Sequence, residues 1–148
     1  MKACTFFGET DAATDIRYDL KQVLIDLIEN EGVSLFYVGD EGNFDKMVRT
    51  ELKLFSTVYE HIRFSVLICN IPYTELTEED FWHENICPFG GFFGEKSITP
   101  DRVNKYMINC SDYVVTYVTN SEGSAYKYKA LAVNKGKKII ELYDNQTK

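Results

Sequence analysis

With 148 residues, 45% of them hydrophobic and ten each Tyr and Phe, the chain can bury a core of its own and is expected to form one domain, 1–148. A net charge of −7 without any Lys/Arg cluster excludes a general nucleic-acid binder or a protein drawn to anionic membranes. The apolar runs are strand-sized, too short to span a bilayer, and no basic-then-apolar leader opens the sequence.

In chain order, strands and helices alternate. "ACTFFG" reads as a first strand, followed by a helix whose apolar positions Ile16, Leu20, Val23, Leu24, Leu27 and Ile28 recur at helical spacing before Gly32. "SLFYVG" is a second strand. A second helix starts near Asn43, a good N-cap, with Phe44, Met47, Val48, Leu52, Phe55 and Tyr59 on one face. "SVLICNI" is apolar almost throughout, as strands covered on both faces are. Residues 72–98 break this rhythm with two prolines, three glycines and the aromatics Tyr73, Phe81, Trp82, Phe89, Phe92 and Phe93. Regularity returns at Thr99-Pro100, a cap followed by proline at the first helical position, with Val103, Tyr106, Met107 and Cys110 as the buried stripe. "DYVVTYVT", "SAYKYKALAVNKG" and "KKIIELY" complete the pattern as strand, helix and strand. Strands joined through helices pair in parallel, so the expected fold is α/β: one doubly wound, mainly parallel five-stranded sheet with helices on both faces.

The four cysteines are scattered without a C-x-x-C pair. Cys4, Cys69 and Cys110 lie in or beside apolar runs and read as reduced, mostly buried thiols of a cytoplasmic protein. His83, Glu84 and Cys87 lack the second pair that a zinc site needs, so no metal and no cofactor are expected. The P-loop pattern, the G-x-S-x-G elbow and the G-x-G-x-x-G fingerprint are all absent.

Doubly wound sheets bind ligands beyond the carboxyl ends of their strands, where the strand order reverses. That rule nominates Gly8, Glu9 and Thr10 after strand one, Gly39, Asp40, Gly42, Asn43 and Asp45 after strand two, and Thr119, Gly123 and Ser124 after strand four. A phosphate at the first of these turns would want N–H donors and positive charge, yet Glu9, Thr10 and Asp11 stand there. They suit sugar hydroxyls or a base amine. Phosphate would fall to the N-termini of the second and fourth helices, with Arg102 and Lys105 supplying charge.

The ordered blocks "CTFFG", "FYVGDEGNFDKMV", "NKYMINCSDYVVTYVT" and "GSAYKYKALAVNKGKKIIEL" resemble the SLOG superfamily (the Smf/DprA and LOG group), nearest its small YpsA-like members. The likeness spans nearly the whole chain, with residues 72–98 the least similar. It implies a Rossmann-like sheet that binds nucleotides or nucleotide-derived ligands, and a homo-oligomer. The matching positions are Gly8, Gly39, Gly42, Asn43, Asp45, Asn104, Lys105, Met107 and Gly123. Relatives commonly follow the first glycine with His-Arg, where this chain has Glu9-Thr10, and their second glycine after strand four is Ser124 here. Hydrolase relatives carry a glutamate early in the last helix, where this chain has Tyr126, Lys127, Tyr128 and Lys129.

The expected role is therefore capture of a nucleotide-derived molecule without turnover, by a sensor or a sequestering protein in bacterial or phage signalling or defence. One alternative is an N-glycosidase acting on nucleoside monophosphates with Glu9 or Glu122 as its carboxylate. Another is a protein-interaction module with a vestigial pocket, which Phe7 or Tyr126 filling the site would favour.

Overall fold

A computed structural model describes residues 1–39, 42–68, 86–88 (backbone) and 100–142. Asp40 and most of the aromatic segment 72–98, including His83 and Glu84, lie outside the described residues, as does Cys69.

The strands are β1 (Lys2–Gly8), β2 (Val33–Val38), β3 (Arg63–Ile68), β4 (Ile86–Pro88), β5 (Tyr113–Tyr117) and β6 (Lys138–Glu141). The helices are α1 (Arg17–Glu29), entered through a 3-10 turn at Thr14–Ile16, then α2 (Gly42–Val58), α3 (Pro100–Asn109) and α4 (Ser124–Asn134). All six strands form one sheet in the order β4-β3-β2-β1-β5-β6. Every neighbouring pair is parallel. The sheet is therefore the expected doubly wound, Rossmann-like one, with five strands where the sequence places them. The sixth, β4, is three residues inside the segment read as irregular. A strand that short carries no periodicity to read.

Alternation along β1 divides the core. Cys4 and Phe6 join a cluster with Leu20, Leu24 and Leu27 of α1 and Phe44, Val48 and Leu52 of α2. Phe7 belongs to the opposite layer with Val103, Met107 and Ile108 of α3 and Tyr128 and Ala132 of α4. Helices thus cover both faces, and β1 and β5 are buried along nearly their whole length. Two expectations for α3 are corrected. Tyr106 is 42% exposed, and Ile108 takes its place in the buried stripe. Cys110 is exposed in the turn after the helix, because α3 ends at Asn109 one position before the stripe would return. Cys4 is buried as expected, and burial pushes its thiol pKa well up.

One charge lies inside the helical layer. Glu51 of α2 is 1% exposed, bonded by Arg17 Nε and with Lys21 Nζ at 4.0 Å. Removing one partner of such a pair strands the other charge away from water. Arg17 is half-exposed, so Arg17→Met is expected to cost about 2 kcal/mol, below the range for a fully buried pair. Arg17→Met/Glu51→Leu should recover most of that loss in urea denaturation. Equal instability of single and double variants would show that the pair acts through packing instead.

Candidate functional site

The chain runs outward from β1 through β2, β3 and β4, then returns to the other side of β1 for β5 and β6. The strand order therefore reverses between β1 and β5, and the crevice beyond their carboxyl ends is where this architecture places a ligand.

Close packing holds α2 against that crevice. Gly8, the last residue of β1, lies beneath the Phe44 ring: a Cβ at Gly8 would be 2.6 Å from Phe44 Cδ1 and closer still to Cγ. Phe44 stacks in turn on Tyr117 at the end of β5, with ring centroids 6.4 Å apart. Gly42 opens α2 with φ +78°, and a Cβ there would come within 2.5 Å of Thr10 Cα. Both the left-handed backbone and the close approach call for glycine. Asn43 sits in the first turn of α2 instead of capping it, and its backbone N–H donates to the Thr10 carbonyl at 2.8 Å. Gly39 is buried, and a Cβ there would lie 2.9 Å from Asp45 Oδ2, so the missing side chain makes room for that carboxylate.

A small cleft lies between these elements and α3 and α4. Thr10, Asp45, Asn104 and Ser124 contribute its polar lining, while Phe7, Met107 and Tyr128 are among the apolar residues. Its volume is about 30 Å³. That admits a water molecule or one small polar group, not a whole nucleotide. Phe7 stacks on Tyr128 with centroids 5.1 Å apart and is itself 6% exposed, so it packs into the core layer beside the cleft. Tyr126 is exposed.

Glu9, beside the cleft, is held from several sides. It is 8% exposed. Its Oε1 accepts the Thr119 backbone N–H at 2.6 Å, the Thr119 hydroxyl at 2.9 Å and the Asn120 backbone N–H at 3.2 Å. The Asn120 side-chain amide makes a long 3.5 Å contact to Oε2. Its backbone N–H donates to the Tyr117 carbonyl, and its carbonyl accepts from Ala12. Burial pushes the Glu9 pKa up, but the donors from Thr119 and Asn120 outweigh it and hold the carboxyl below its ordinary value. Asn120 completes the loop: its Oδ1 accepts the backbone N–H groups of Glu122 at 3.0 Å and Gly123 at 2.9 Å. Gly123 occupies the N-cap position of α4 without a side-chain cap, and Ser124 is the first helical residue.

The basic residues nominated for phosphate do not line this cleft. Asn104 does, while Arg102 and Lys105 on either side of it do not. Lys105 pairs with Asp101 at 2.9 Å, and Lys127 of α4 with the same carboxylate at 3.1 Å. The Tyr128 hydroxyl, donating at 2.7 Å, is the largest of the influences that hold Asp101 far below the usual carboxylate range. Asp101 thus fastens α3 to α4 and occupies two of the nearby lysines. Lys129 pairs with Glu141. Glu122 is exposed. Among the described residues no group of His, Cys, Asp and Glu is placed to hold a metal ion.

Thr10, Asp45 and Ser124 therefore meet at the cleft, Gly8, Gly39 and Gly42 shape it, and Glu9, Thr119 and Gly123 meet at the adjoining loop. Phe7, named above as a residue that could fill the site, lines the cleft, and so does Tyr128, which the sequence reading did not nominate. The usable signal was spacing: Asn104 and Met107 on α3, and Ala125 and Tyr128 on α4, are i, i+3 pairs on the helix faces turned to the sheet. Of the Asp101 cluster, only the i, i+4 pair with Lys105 is marked in the sequence; the approach of Lys127 and Tyr128 from α4 is not. No helix among the described residues is long and apolar enough to cross a membrane. No known family pattern matches the chain, and no curated protein matches it.

Proposed function

We propose that the chain is a SLOG-type Rossmann-like binding module that captures a nucleotide-derived small molecule at the β1/β5 cleft without turning it over, as a sensor or a sequestering protein. One observation carries this reading: Thr10, Asp45, Asn104 and Ser124, from four separate elements, converge on one cavity at the reversal of strand order. Such a set suits hydroxyl and amine groups, as on a ribose or a base. The ligand seats one small group in the cavity and extends outward from it. Binding without turnover is supported by the state of Glu9, whose carboxylate the loop donors already occupy. Free thiols at Cys4 and Cys110 fit a cytoplasmic protein. The exposed apolar residues Leu54 and Val58, one turn apart on α2, are compatible with a homo-oligomer.

The small cavity and the packed Phe7 favour a second reading, in which the cleft is vestigial and the fold serves protein interaction.

Native mass spectrometry of gently purified protein, with denaturation in parallel, separates these readings. A stoichiometric nucleotide-derived mass recovered intact supports capture, and Asn104→Ala should then weaken binding about tenfold with little change in stability. Free base plus ribose phosphate would instead establish an N-glycosidase. An empty protein with no thermal shift toward mono-, di- or cyclic nucleotides or ADP-ribose derivatives would leave the interaction role.

A further inference from the structure

The backbone N–H groups of Thr119 and Asn120 and the Thr119 hydroxyl point at one spot beside the crevice between β1 and β5, a convergence of donors that in other proteins receives an oxyanion. Here the oxyanion belongs to the chain itself. Glu9 reaches the spot from the end of the neighbouring strand, accepts all three donors on Oε1, and is 8% exposed. Further along the loop, the N–H groups of Glu122 and Gly123 are taken by Asn120 Oδ1, so these donors too are satisfied by the chain itself.

Charge around the cleft repeats the theme. Glu9 Oε2 would lie 3.4 Å from a Cβ at Gly123, which puts this carboxylate at the N-cap of α4. Asp45 stands in the first turn of α2 and lines the cleft. The N-termini of α2 and α4 therefore each already have a carboxylate of the protein's own, where it is favoured by the helix dipole. A phosphate entering would meet two like charges at close range, and Lys105 and Lys127 are held by Asp101.

We propose that Glu9 is the specificity-determining residue of this site: its carboxylate fills the oxyanion position, so the crevice refuses phosphate and takes the neutral or cationic part of its ligand, a sugar hydroxyl or a base amine. This rests on the binding reading above for the ligand's class, but the exclusion of phosphate stands or falls separately.

The probe is inorganic phosphate, followed through the backbone amide resonances of Thr119 and Asn120 in uniformly 15N-labelled protein. In the wild-type chain these resonances should stay in place as phosphate is added. In Glu9→Ser, whose short side chain vacates the spot, they should move saturably, with phosphate bound at least about tenfold more tightly than by wild type. Glu9→Asn withdraws the side chain by one methylene and removes its charge, and is expected to show the same movement more weakly, so the test survives a poorly folding serine variant. Movement of the two amides in wild type, as strong as in the variants, would overturn the proposal. So would their immobility in wild type and both variants, since the donors would then be no oxyanion site at all. If the variants gain phosphate while wild type binds no nucleoside or nucleotide, the exclusion holds and the binding function fails.

Discussion

Gly8→Ala is expected to destabilise the protein by more than about 3 kcal/mol, a fall in Tm of roughly 10 °C for a chain of this size. The added methyl would enter the face of the Phe44 ring, whose side chain is fully buried and stacked on Tyr117. Phe44 cannot yield easily. It stands in the first turn of α2, and that turn is fixed by the Asn43 N–H bond to Thr10 and by the close approach of Gly42 to the Thr10 backbone. Relief therefore requires α2 to lift from the sheet, which would also move Asp45 away from the cleft. Urea denaturation of Gly8→Ala, Phe44→Leu and the double variant tests the cause. The double variant should be more stable than the sum of the single losses predicts, by about 1–2 kcal/mol. Additivity would mean that the glycine is needed for its own backbone and not for the ring above it.

The same contacts explain which parts of the molecule could be read from the sequence. Strands and helices are written in local spacing: Leu20, Leu24 and Leu27 mark one face of α1, and the almost wholly apolar "SVLICNI" around β3 announces a strand covered on both faces. The site glycines were legible as turn residues, and their positions followed from the rule for strand ends. Their reasons were not, because Phe44 over Gly8 and Thr10 against Gly42 are contacts between separate elements. Glu9 illustrates the limit most clearly. Its sequence context, a glycine at the end of a first strand, suggested a carboxylate facing a ligand. The residues that occupy it, Thr119 and Asn120, lie 110 and 111 positions away and become neighbours only because β5 inserts beside β1. Lys105 fails in a similar way. Its partner Asp101 is one helical turn away and could have been anticipated as an i, i+4 pair, but the convergence of Lys127 and Tyr128 on that carboxylate could not.

Replacing Glu9 itself should be costly at neutral pH and much less so in acid. Glu9→Ala removes the acceptor of two backbone N–H groups and a hydroxyl, and hydrogen bonds to an ionised group are worth more than neutral ones, so a loss of about 3 kcal/mol is expected at pH 7. Glu9→Gln keeps a neutral acceptor in place and should lose about half as much. The carboxyl is held below its ordinary value of 4.5, the donors from Thr119 and Asn120 prevailing over burial. A carboxyl depressed in the folded state stabilises the fold fully above its unfolded pKa, and that contribution disappears as pH falls through the folded value. The stability gap between wild type and Glu9→Gln should therefore be constant from neutrality down to about pH 5 and close progressively below 4.5. Urea melts of both proteins at pH 7, 5, 4 and 3 measure it directly. A gap that persists unchanged at pH 3 would show that Glu9 holds the loop by shape and not by charge, and would remove the electrostatic basis for its discrimination against phosphate.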